Sequence, residues 1–259
     1  MNVIHIPWLV QAGPYKINHV PCPAYAGRAR LDVPPVGVLH TTEGGFAGSE
    51  AIFERHFAPH FLVGLDSQGN PRIDQLVPIG ESGMACVGNN DLALVQIELV
   101  GYSQEKPWLP DAKSLDVLAH LMVQLEAAYG IPLSHPWADG DYGRAGDNPH
   151  RHAGKLGHVA GWYGHGDMPV PPYRESHWDP GNLQWSKLFA YCERIKGVKA
   201  EAVAAAPAVP AASNVVGGVP YTPDELAVAS QIYHYFLGKT VVRLPNKPAL
   251  QPRHAAAFV

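Results

Sequence analysis

Apolar residues along this chain fall into short bounded runs, with one longer stretch at helical spacing. Residues 35–41, Pro-Val-Gly-Val-Leu-His-Thr, form a compact apolar run that predicts a buried strand, closed by Glu43-Gly44-Gly45. Residues 49–56 suggest a short helix. Residues 60–66 predict a second strand and residues 72–77 a third. The breaker-rich turn Ser67-Gln68-Gly69-Asn70-Pro71 lies between them, so the pair reads as a hairpin. Residues 91–100 hold another apolar run, unusual in carrying the carboxylate of Glu98. Over residues 111–129, Leu115, Leu118, Leu121, Met122 and Leu125 recur at offsets of three and four, the apolar face of an amphipathic helix, with Gly130 and Pro132 as its stop. Residues 133–157 read as a long polar, Gly- and His-rich loop, residues 159–165 as a strand and residues 182–195 as a last helix. Residues 1–34, punctuated by proline, read as irregular.

Short strands mixed with helices predict an α/β domain with a mixed central sheet flanked by helices. That domain is expected over residues 1–197. From 198 to 218 Ala, Val and Pro dominate and periodicity vanishes, the composition of a semi-rigid linker. Residues 219–259 read as a small helical appendage: Thr222 caps, Pro223 takes the first helical position, Glu225 reaches back, and Gly238 stops the helix. This segment suits wall binding or packing against the main domain.

Composition narrows the function classes. Charged residues are 16% of the 259 positions and hydrophobic residues 46%, which excludes a charge-driven disordered chain. The net charge of −4, with no basic stripe, argues against a nucleic-acid partner. No apolar run nears the roughly 18 residues that span a bilayer, so no membrane insertion is expected. Cys22, Cys86 and Cys192 are odd in number and widely spaced, which is no disulfide framework. With no basic leader or cleavage site at the start, synthesis in the cytoplasm without a signal peptide is expected. Oligomeric state is left open.

The 14 histidines raise the question of a metal. His40 ends the first predicted strand, His165 sits in Gly164-His165-Gly166-Asp167-Met168-Pro169, and Asp179 in His177-Trp178-Asp179-Pro180-Gly181. Imidazole and carboxylate suit Zn²⁺, and three protein ligands with one open position define a catalytic site. His158 competes with His165 by residue type. His150 and His152, on the long loop, read as solvated, and Asp167 as a candidate for orienting a ligand imidazole.

Six segments in order, Val36-Gly37-Val38-Leu39-His40-Thr41-Thr42-Glu43-Gly44, Pro59-His60-Phe61-Leu62-Val63, Gln75-Leu76-Val77-Pro78, Gln96-Ile97-Glu98-Leu99-Val100-Gly101 and the two just quoted, resemble the type 2 N-acetylmuramoyl-L-alanine amidases. These are the zinc amidases related to peptidoglycan recognition proteins and T7 lysozyme. The resemblance spans roughly residues 30–195. It implies one zinc held by His40, His165 and Asp179, with Glu98 and His177 catalytic and Thr41, His60 and Trp162 near the substrate. The implied reaction is hydrolysis of the muramic acid–L-alanine amide in peptidoglycan, acting on the bacterial wall, as in a phage endolysin released by a holin-type route. Two departures stand out: Pro59 where some members have Tyr, and Cys86 where a His is frequent. Two other functions remain open at this stage, a muropeptide-binding module without catalysis and a zinc peptidase acting within the stem peptide. Against the second, the sequence has no His-Glu-x-x-His helix.

Overall fold

The computed structural model describes residues 7–22, 32–86, 88–140, 148–169, 177–205, 215–216 and 219–220. The chain divides into two units. The larger, His5–Lys199, carries both multi-element layers. Its described elements run, in order, β1 (Gln11–Ala12), β2 (Tyr15–His19), β3 (Val36–Thr41), α1 (Phe46–Phe53), β4 (Phe61–Leu65), β5 (Pro71–Gln75), β6 (Val95–Leu99), β7 (Gln104–Trp108), α2 (Ala112–Tyr129), β8 (Gly161–Gly164), β9 (Gly181–Leu183) and α3 (Trp185–Ala205). Of the second unit, the end of α3 and an antiparallel pair, Val215–Val216 with Val219–Pro220, are described. The predicted helix over residues 222–238 lies outside the described residues.

Seven strands form one mixed sheet in the order β1-β2-β5-β4-β6-β3-β8. The predicted hairpin is β4–β5, antiparallel, with Phe61 opposite Gln75 and Leu65 opposite Pro71. β3 lies between β6 and β8 and is parallel to both. A strand covered on both faces has no polar alternation to show, and all six residues of β3 are buried. On one face Leu39, Phe61, Val63, Ile97, Leu99 and Trp162 pack with Val117, Leu118, Leu121 and Met122 of α2 and Leu188 and Phe189 of α3. On the other, α1 contributes Phe46 and Phe53 to a cluster with Leu62 and Leu76, while Val36, Val38, Cys86 and Tyr163 form a neighbouring one.

Local chemistry explains the best-predicted helix. The Asp111 carboxylate accepts from the backbone N–H groups of Lys113 (3.0 Å) and Ser114 (3.1 Å), and Gly130 closes α2 at φ 71°, where any Cβ is strained. A different steric demand acts at Gly37: an added Cβ would stand 2.6 Å from the Trp162 ring on the neighbouring strand.

The elements depart from expectation in four places. Residues read as irregular contain β1 and β2. Only Ile17 of β2 is fully buried, too little alternation to register as a strand. β7 is an exposed polar strand containing Pro107, tolerated because it pairs on one side alone with β9. α1 begins at Phe46 rather than Ser49. The last helix starts at Trp185, after the short β9, and continues through Gly197 to Ala205, into residues whose composition resembles a linker.

Candidate active site

The site builds up from strand register. In the β3–β6 ladder His40 stands opposite Glu98, and parallel partners in register share a face. That face is the one opposite α2 and α3, because Leu39 and Ile97, one position away, point into the helix-side core. β8 continues directly into a 3-10 turn, His165–Asp167, and Leu39 of β3 pairs with Gly164 at the start of that turn. His165 thus arrives beside His40. The third segment is tied on by the backbone: Gly166 N–H donates to the carbonyl of Asp179 (2.9 Å). Gly166 has room for that contact because it lacks a Cβ, which would lie 2.9 Å from the Trp178 carbonyl oxygen.

His40, His165 and Asp179 therefore converge, although 125 residues separate the first two. His40 Nδ1 is 3.1 Å from His165 Nδ1 and 3.2 Å from Asp179 Oδ2, and His165 Nδ1 is 3.4 Å from Asp179 Oδ1. Ligands bonded tetrahedrally to one Zn²⁺ at about 2.0–2.1 Å stand roughly 3.3 Å apart, so this donor set fits the ion. All three side chains are buried. Burial and the neighbouring His165 lower the pKa of His40 to about 4, which keeps its ring neutral as a ligand must be. Burial opposes the charge on Asp179, but His165 and the hydrogen bonds from His165, His177 and His40 prevail and hold its carboxyl well below the usual range. The other ring nitrogen of His40, Nε2, lies 3.3 Å from Cys86 Sγ, a contact that fixes the ring's orientation.

Glu98 is 8% exposed, and its Oε2 is buried with no hydrogen-bond partner among the described residues. Desolvation, then the negative charge of Asp179, push its pKa well above the ordinary carboxylate value, with His165 opposing and Glu43 adding a little. His177 stacks on His165 with ring centroids 4.3 Å apart, places Nδ1 3.5 Å from Asp179 Oδ1, and leaves its side chain 54% exposed. Its carbonyl accepts from the Arg151 guanidinium.

Of the three residues expected near the substrate, Trp162 and His60 are placed elsewhere. Trp162 is on the helix side of the sheet, wholly buried in the main core, and has no surface to offer a ligand. His60 is also fully buried, and both ring nitrogens are engaged: Nδ1 accepts from Gln96 N–H and Nε2 donates to the Glu81 carbonyl, each at 3.0 Å. It pins segments together instead of facing a cleft. Thr41 donates to Glu43 Oε1 (2.8 Å) and contacts Ser103 Oγ (2.7 Å), which holds the β3 end against the chain after β6. His152 and His158 are exposed and join no metal-competent cluster among the described residues, whereas His150, read as solvated, is 8% exposed and contacts Asp167. Sequence reasoning also passed over Arg151, and His135, which follows α2 in a Ser-His-Pro-Trp stretch with no distinguishing spacing.

No family profile and no curated protein sequence matches the chain. Among solved structures it is similar to the Staphylococcus aureus hydrolase AmiA in complex with its ligand, at 16% identity over 72% of this chain and 85% of that one, TM-score 0.48. It is similar to the N-acetylmuramoyl-L-alanine amidase LysC from Clostridium intestinale, at 16% identity over 69% and 97%, TM-score 0.39. A third similar structure is the N-acetylmuramyl-L-alanine amidase AmiD from E. coli in complex with its substrate, at 20% identity over 91% and 79%, TM-score 0.40.

Proposed function

We propose that this chain is a zinc-dependent peptidoglycan hydrolase that cleaves the amide between the lactyl carbonyl of N-acetylmuramic acid and the nitrogen of L-alanine. The observation that carries this reading is the buried His40–His165–Asp179 donor set beside a carboxylate whose Oε2 has no hydrogen-bond partner among the described residues. The order of the six sequence motifs supports the choice of bond.

His40, His165 and Asp179 would hold the ion. When bound, Zn²⁺ polarises the scissile carbonyl and lowers the pKa of an attacking water towards about 7. Glu98 does the proton work. Its unpartnered oxygen takes a proton from the water as the new C–O bond forms. It then delivers that proton to the alanine nitrogen as the C–N bond breaks, leaving a carboxylate and a free amine. Desolvation raises the proton affinity of this carboxylate, which suits a group that takes a proton and returns it. His177, exposed at the rim and stacked on His165, donates to the oxygen on which negative charge develops.

The test is digestion of purified peptidoglycan followed by mass spectrometry of the products. New L-alanine amino termini are expected. New termini elsewhere in the stem peptide would replace this reading with a stem peptidase, and binding without products from zinc-loaded protein would replace it with a recognition module. Service as a phage endolysin is the finer proposal, checked by whether co-expression with a holin lyses bacteria.

A further inference from the structure

A second group of metal-competent side chains lies on the far side of the His165 turn. His135, from the segment after α2, His150, from the 3-10 turn Pro149–His152, and Asp167 offer donor atoms all within 4.8 Å of one another. The three side chains are 2%, 7% and 6% exposed. Asp167 turns one oxygen to each ring: Oδ1 is 2.7 Å from His150 Nδ1 and Oδ2 is 3.0 Å from His135 Nε2.

The hydrogen-bond arithmetic at His135 does not close with a neutral ring. Nδ1 faces the Trp137 carbonyl at 3.0 Å and Nε2 faces the Asp167 carboxylate, two acceptors for a ring that carries one N–H. A cation between Nε2 and the carboxylate, a second proton or a metal ion, satisfies both contacts. With Nδ1–H committed to a backbone carbonyl, Nε2 presents its lone pair, the usual arrangement of a ligating histidine. Both rings are also fixed from the side. His135 stacks on Trp185 (4.8 Å, 8°) and His150 on Trp137 (3.9 Å, 6°). The carboxylate is held as well, by Asn148 Nδ2 at 3.0 Å on Oδ1 and Gly164 N–H at 2.8 Å on Oδ2, which leaves each oxygen a further lone pair.

We propose that His135, His150 and both oxygens of Asp167 form a second, structural site for a divalent transition metal, Zn²⁺ by the chemistry of its donors. Two imidazoles and a carboxylate able to turn both oxygens inward supply up to four donor atoms, and their burial between Trp185 and Trp137 sets them up to staple segments together. The ion would bind the segment after α2 and the 3-10 turn at Pro149–His152 to the turn that carries His165.

The experiment is metal stoichiometry by mass spectrometry on protein stripped with a chelator, reloaded with Zn²⁺ and dialysed. Wild type should retain two equivalents, His40→Ala one, and His135→Gln with His150→Gln one. Replacing Zn²⁺ by Co²⁺ should give two separable visible absorption bands, of which His40→Ala keeps one. A single equivalent in wild type that His40→Ala abolishes overturns the proposal and leaves a proton as the bridging cation, as does an unchanged count in the double variant. The His40→Ala count decides even if the double variant fails to fold. The outcome is separable from the amidase reading, whose failure at the first site would make His40→Ala indistinguishable from wild type while the second equivalent stayed.

Discussion

A buried carboxylate oxygen with no hydrogen-bond partner destabilises a fold by about 1–3 kcal/mol, more if charged. Glu98 bears that burden at the centre of the sheet. Replacing it by Gln should lower kcat by roughly 10²- to 10⁴-fold while zinc content stays constant. Urea unfolding of the same variant should show stability unchanged or raised, because the charge is gone and the shape is kept. At the rim, His177→Ala should lower kcat by up to about 10²-fold with little change in KM, and His177→Lys should recover part of it, since a donor still reaches the developing oxyanion. Cys86 acts through His40. Cys86→Val should weaken zinc affinity by about 10- to 100-fold, read by competition with a chelating dye, and Cys86→Ser should weaken it less. The sequence motifs made His40, Glu98, His165 and Asp179 legible because each lies in a short stretch whose neighbours are also constrained. Roles set by tertiary placement were not legible. Trp162 and His60 carry the residue types of a binding cleft, but which face a side chain takes, and whether its nitrogens are already bonded, depends on register and on distant carbonyls.

At the level of elements, legibility followed the number of buried positions. β3, β4, β6 and α2 bury most of one face or both and show clear runs or a clear period. β7 half-buries Trp108 alone and β9 has three residues, so their pairing leaves no pattern to read. The packing of Trp162 over Gly37 makes a sharp demand on the β3–β8 pair. Gly37→Ala should destabilise the protein by about 1–3 kcal/mol in urea unfolding, since the methyl and the indole cannot both stay in place. A second tie joins three elements: the Asp116 carboxylate on α2 accepts from Tyr15 of β2 and from Tyr191 of α3 (2.7 Å to Oδ1). Together with the β2–β5 ladder it anchors a proline-rich beginning, read as irregular, to the sheet and helices.

For the whole molecule, pH and metal are the readable variables. Burial lowers the pKa of His60 to about 4, against about 6.5 in an unfolded chain. The unfolded state therefore binds the extra proton between these values. The stability from keeping this ring neutral is complete above pH 6.5 and is lost progressively as the pH falls towards 4, on the order of 3 kcal/mol in total. Urea titrations at pH 7.5 and 4.5 should show that loss, and His60→Gln should flatten the slope. Chelation should abolish hydrolysis and Zn²⁺ should restore it, since polarising the scissile carbonyl is the ion's work and not that of the side chains.

β3 has a hydrogen-bonded neighbour on each side, whereas β8 is the last strand in the order. Shifting His40 would mean unzipping two ladders at once, and Glu98 is locked to the same rungs. Differences in how substrates sit must therefore be met by groups outside this inner pair, which stays as the fixed jaw of a vice.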